Sequence, residues 1–128
     1  LLSHYIEPHL LIPPDIAIIH VGINDIKNTD HKLDQQIAAE IIQIGQKCMQ
    51  SGVKRVIISG ITKVAKSSDG QRVSRVNILL EEVCRSEGFL FLNNSAINIP
   101  HLWKDGLHLN EQGKVILARN YIEAINLC

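Results

Sequence analysis

Asp105 and His108 stand three residues apart in Asp105-Gly106-Leu107-His108. That spacing puts both side chains on one side of a single turn. A carboxylate so placed can fix the histidine tautomer and leave the other ring nitrogen free as a general base. Far upstream, Gly22-Ile23-Asn24-Asp25 follows an apolar run. The glycine allows a tight turn, and an asparagine amide just beyond it can donate a hydrogen bond to a developing oxyanion. Such a donor is worth about 3 kcal/mol of transition-state stabilisation. Trp103, just before Asp105, can wall a site there and exclude water. Taken singly, each motif also has a plainer reading. Asp-Gly-Leu-His is an ordinary turn with a solvated histidine, and Gly-Ile-Asn-Asp is a strand-ending turn. His101, Asp105 and His108 would formally allow a metal site, but the loop character and the absence of a third strong ligand argue against one.

These residues need elements to position them. Three short β-branched runs read as strands: Ile16 to Val21 after Pro13-Pro14, Arg55 to Gly60, and Phe89 to Asn93. The first two are almost continuously apolar, as expected of strands covered on both faces. Between them, Ile37, Ile41, Ile44 and Cys48 form one helical stripe, with Asp30 or Asp34 as cap and Gly52 as stop. Val73, Val76, Leu80 and Val83 form the next, ended by Gly88. Ile116, Tyr121, Ile122 and Ile125 give a last helix after Gly113, and a short one is expected over Ser3 to Leu11. Lys66 to Gly70 reads as a surface loop. The alternation implies right-handed crossovers and a parallel sheet with helices on both faces. Ligands in such sheets bind beyond the carboxyl ends of the strands. There Gly22, Asn24 and Asp25 follow the first strand, Ser59 the second, and Asp105 and His108 the third. His20, inside an apolar strand, reads as a satisfied core or site-lining residue.

Composition narrows the class. The chain has 128 residues, 45% of them apolar, enough for one small domain with a real core. Thirteen basic and thirteen acidic residues cancel, which gives nucleic-acid binding no compositional support. Lys63, Lys66 and Arg72 read as a solvated face, and His4, His9 and His31 as surface residues. No apolar run approaches the roughly 20 residues needed to span a bilayer. The N-terminal residues do not read as a signal peptide. Three cysteines with no paired spacing argue against a disulfide framework and lean towards a reducing, cytoplasmic setting. Cys48 and Cys84 fall on apolar helix faces and read as buried hydrophobes.

The two motifs, their order and the β/α pattern between them resemble the SGNH (GDSL-type) hydrolases over roughly Pro14 to the C-terminus. The family carries a Gly-x-Asn-Asp block after its third strand, matched by Gly22-Ile23-Asn24-Asp25. It carries an Asp-x-x-His block before its last helix, matched by Asp105-Gly106-Leu107-His108. The resemblance implies a three-layer α/β/α, flavodoxin-like fold, here with the equivalents of strands three to five. It implies Asn24 as an oxyanion-hole donor, His108 as general base and Asp105 as its partner. Gly22 and Asp25 would support the loop, with His20, Ser59 and Trp103 lining the site. The implied chemistry is hydrolysis of a small carboxylic ester by serine attack, with no metal or organic cofactor.

The family's Gly-Asp-Ser nucleophile block and its second, glycine-bearing block have no match in the chain. Ser3 lies too early to follow a strand, and Ser59 corresponds to the fourth strand rather than the first. The expectation is therefore one SGNH-like domain over 1–128, truncated at its N-terminus and inactive alone. Residues 16 to 21 would form a bare edge open to self-association. The alternative is a non-catalytic α/β remnant or a binding and assembly module.

Overall fold

The computed structural model of the chain describes residues 15–20 and 33–128. Three parallel strands form one sheet in the order β1 (Ile16–Ile19), β2 (Arg55–Ser59), β3 (Leu90–Leu92). The register runs Ile16↔Arg55 to Ile19↔Ile58, then Ile57↔Leu90 to Ser59↔Leu92. Helices α1 (Asp34–Gln50) and α2 (Ser67–Glu87) connect the strands, and α3 (Glu111–Leu127) follows a 3-10 turn at Ile99–His101. This is the α/β architecture expected from the alternation of the sequence.

Side chains alternate across β2 and divide the core in two. Val56 and Ile58 face α1 and α2, where Ile37, Ile41, Cys48, Val73, Val76, Leu80 and Cys84 are buried. Ile57 faces α3 with Leu92, Ala124 and the half-buried Ile16, Ile18, Leu90 and Tyr121. Cys48 and Cys84 are core residues as expected. Burial pushes the Cys84 thiol up to about 12, with the Glu81 charge adding to the effect. Gly88 ends α2 in the left-handed conformation, φ +76°, as its place in the sequence suggested.

Several local expectations change. Lys66 to Gly70 is not a loop: α2 starts at Ser67, and Gly70 N donates to Lys66 O at 2.8 Å. Small polar residues favour a helix's first turn as much as a loop, and Asp69 there complements the helix dipole. Asp34 does not cap α1 but lies in its first turn, after Leu33. The backbone N–H of Leu33 is instead taken by the Gln36 side chain at 2.9 Å. Nor is Arg72 part of a solvated face. Its Nε is 2.9 Å from Asp34 Oδ1, and Arg75 Nε is 2.8 Å from Oδ2. Arg75 first, then Arg72, hold the Asp34 carboxyl below its usual range, against the opposing effect of burial. This fork joins the start of α1 to α2. On α3, Ile122 and Ile125 are exposed, while Ala124 and Gly113 are buried. Among the described residues α3 is the one helix on this face, and it turns a narrow stripe to the sheet. The expected helix over Ser3 to Leu11, and His4, His9 and His31, lie outside the described residues.

Candidate active site

The segment from Ile99 to Asn110 is a closed loop held by backbone bonds. Leu102 and Leu109 form an antiparallel bridge. Within it, Trp103 N donates to His108 O at 2.8 Å and Gly106 N to Trp103 O at 2.9 Å. Asn110 closes the loop and starts α3. Its Oδ1 accepts from Gly113 N at 2.9 Å, and its Nδ2 donates to Pro100 O at 2.9 Å. Gly113 is required by close approach, since a Cβ there would lie 2.5 Å from His101 O.

Inside this frame Asp105 binds its own turn. Oδ1 accepts from the N–H groups of Leu107 and His108 at 2.9 and 3.1 Å, and Oδ2 lies 2.5 Å from His108 Nδ1. The bond to His108, followed by those two backbone N–H groups, lowers the Asp105 carboxyl to about 2. Asp105 is therefore ionised at neutral pH. It favours the tautomer with the proton on Nδ1, which leaves Nε2 with a free lone pair. The His108 side chain is 69% exposed, so the ring is open to solvent.

The turn is fastened to the sheet by Gly106. Its carbonyl accepts from Ala65 N at 2.8 Å, just beyond β2. Gly106 has φ +66°, and a Cβ would lie 2.6 Å from Ala65 Cβ. Both the conformation and the contact thus call for glycine. Leu107 tucks against the α1–α2 side of the core.

The remaining sequence-predicted residues fall in different places. Trp103 is exposed and joined to His108 through the backbone. His20 follows β1 and pairs with Ser59, Nδ1 to Oγ at 2.7 Å. His20 keeps an exposed edge, yet burial of its ring lowers its pKa below 6.5. Ser59 is buried on the α3 face of the sheet. Gly22, Asn24 and Asp25 lie outside the described residues. Among the described residues no three His, Cys, Asp or Glu side chains come together as a metal site. His101 Nδ1 instead accepts from Asn98 N at 2.9 Å.

Sequence reasoning missed Asn94, Asn120 and Tyr121, which surround Ser59. Asn94 Nδ2 donates to Ser59 Oγ at 2.8 Å and to Gly60 O at 2.7 Å. Asn120 Nδ2 donates to Asn94 Oδ1 at 3.0 Å. The only sequence signal was Asn120 standing beside Tyr121 in a helix of mixed polarity.

Solved structures share this fold. A GDSL-like lipase from Bacteroides thetaiotaomicron superposes with a TM-score of 0.78 at 19% identity, over 88% of this chain and 62% of that one. A catalytic mutant of an acetylxylan esterase from Geobacillus stearothermophilus gives 0.79 at 19% identity, over 98% and 65%. An alpha/beta hydrolase from the metagenome of Lake Arreo, Spain, gives 0.78 at 16% identity, over 96% and 65%. The chain thus has the SGNH hydrolase fold and spans less than two thirds of the length of each of these structures. No protein-family profile and no curated protein matches the sequence. No described helix is long and apolar enough to cross a membrane.

Proposed function

We propose that this chain supplies the base and an oxyanion donor of an SGNH-type serine esterase acting on small carboxylic esters. The observation that carries the reading is the Asp105–His108 pair, with an ionised carboxylate on Nδ1 and an open Nε2. His108 takes the proton from the attacking serine hydroxyl and later returns it to the leaving alcohol. Asn24, at its place in the Gly-x-Asn-Asp block, donates to the oxyanion. Gly22 and Asp25 support that block, and Trp103 flanks the base. No metal or organic cofactor enters this chemistry. The hydrolase names of the structural neighbours support the reaction class.

The nucleophile belongs to a Gly-Asp-Ser block upstream, so residues 1–128 form one part of a single domain. Ser59 does not substitute for it, because its hydroxyl is buried and already engaged. The test is fluorophosphonate labelling and p-nitrophenyl acetate hydrolysis by a protein extended upstream to that block. We expect labelling and turnover there, loss of turnover in His108→Ala, and negligible turnover from residues 1–128. Esterase activity that survives His108→Ala would sink the proposal.

A second reading is a non-catalytic assembly module. It draws on the outer edge of β1, which has no strand partner among the described residues, and on the exposed Ile122 and Ile125. A concentration-dependent dimer lost on an Ile18→Lys change, with no labelling of the extended protein, would favour it.

A further inference from the structure

A buried polar cluster needs every member paired, because an unpaired group in a low-dielectric interior costs more than an apolar one. The cluster around Ser59 meets that condition. Ser59 is 2% exposed and Asn94 5%. The hydroxyl touches His20 Nδ1 and takes an Asn94 N–H. Burial raises the pKa of the nearby Tyr121 phenol, and Ser59 opposes that rise. Asn94 takes the Asn120 amide on its other side. The rings of His20 and Tyr121 meet edge to face at 6.3 Å. No buried side-chain nitrogen or oxygen among the described residues lacks a partner.

A serine 2.7 Å from a histidine nitrogen looks at first like a nucleophile and its base. The surroundings decide against it. No substrate carbonyl can reach a hydroxyl this buried, and the oxygen accepts from Asn94 while also engaging Tyr121. What the hydroxyl does is join four elements. Ile19 and Ile58 are the last residues paired between β1 and β2. His20 and Ser59 come next in each segment, and their side-chain bond carries the tie one residue beyond the β1–β2 ladder. Asn94 brings in the segment after β3, and Tyr121 and Asn120 bring in α3.

We propose that Ser59 is a positioning residue, which fixes the end of β1 relative to α3. In sequence, the Gly22–Asp25 block follows the end of β1, and α3 begins just after His108. On the proposed reading of Asn24 and His108, holding these two elements in register serves a fit that a catalytic site needs to within about 0.5 Å. The inference rests on the reading of Asn24 as donor and His108 as base. Asn94, Asn120 and Tyr121 act through Ser59 as its supports.

The test uses the 15N-labelled chain, 1–128, as wild type, Ser59→Ala and Ser59→Thr. Backbone amide shifts are mapped, together with the His20 ring nitrogens. Ser59→Thr keeps the hydroxyl on a residue suited to a strand. The expected result is a displacement of the Gly22–Asp25 amides and the His20 ring signals in Ser59→Ala. The amides of Ile41 in α1 and Leu80 in α2 stay in place, and Ser59→Thr restores the wild-type pattern. The proposal is overturned if the Gly22–Asp25 amides do not move in folded Ser59→Ala. It is also overturned if the shifts spread evenly over α1 and α2, or if Ser59→Thr behaves as Ser59→Ala. Should Ser59→Ala fail to fold, Tyr121→Phe removes the phenol beside Ser59 and is judged by the displacement criteria alone. These spectra need no turnover, so an absence of esterase activity would sink the proposed function without altering them. Unmoved amides alongside intact fluorophosphonate labelling would sink the positioning role alone.

Discussion

The carboxylate of Asp105 holds His108 by two routes, one oxygen on the ring Nδ1 at 2.5 Å and the other on the backbone N–H at 3.1 Å. Ring and main chain are therefore oriented by the same group. The tautomer of His108 and the shape of its turn cannot change independently.

The first consequence is the acid titration of Asp105. Its carboxyl should titrate near 2 in the folded chain, read by side-chain 13C shifts. In His108→Ala the largest cause is gone, and the midpoint should rise towards 3.8. Because the folded value is depressed, the pair contributes stability above about pH 4 that is lost as pH falls through about 2. A midpoint unmoved by His108→Ala would refute the assignment.

His20 gives a second pH effect in a different window. Burial lowers its pKa below 6.5, so the folded state prefers the neutral ring. The unfolded chain takes up the proton first as pH falls below 6.5. Stability present above that pH is then lost down to the folded pKa. The urea midpoint should fall between pH 7 and pH 5 in the wild type and fall less in His20→Gln. A His20 ring titrating at or above 6.5 by NMR would contradict this.

Gly106 carries two separable demands. Gly106→Ala places a Cβ 2.6 Å from Ala65 Cβ at φ +66°. The cost should be about 1–3 kcal/mol from the backbone alone, with the clash added. Ala65→Gly removes the clash but not the strained φ, so the double variant should recover only part of the loss in chemical denaturation. Full recovery would mean that the conformation is not held as described.

Asn110 and two isoleucines test the energetic layout. Asn110→Ala loses the cap on Gly113 N and should cost about 1 kcal/mol. Ile58→Ala empties a fully buried site and should cost about 2–5 kcal/mol. Ile122→Ala, at a residue 60% exposed, should stay within about 0.5 kcal/mol of wild type. Urea midpoints of the three variants decide. An Ile122→Ala loss matching that of Ile58→Ala would show that the α3 face is covered.

Local periodicity made most of the fold legible. The three strands, the burial of Ile37, Ile41, Val76 and Leu80, and the stop at Gly88 all follow from patterns within one element. The Asp105–His108 contact was legible for the same reason, since a three-residue spacing closes within one turn. Errors came where local patterns are degenerate. Ser67 to Gly70 suits a loop or a helix start, and Ile122 continues an apolar stripe that only packing could assign.

The sequence by itself determined the order of elements, the parallel α/β sheet and the Asp105–His108 contact on its last loop, because these depend on residues near one another in the chain. Tertiary structure alone decided that Arg72 and Arg75 share Asp34, and that Gly106 seats the Asp105–His108 turn on Ala65. It also decided that Ser59 joins His20 to Asn94, 39 and 35 residues away along the chain. Bonds of that kind are set by which strand lies beside which and by which face a helix covers, and no pattern within a single segment contains that information.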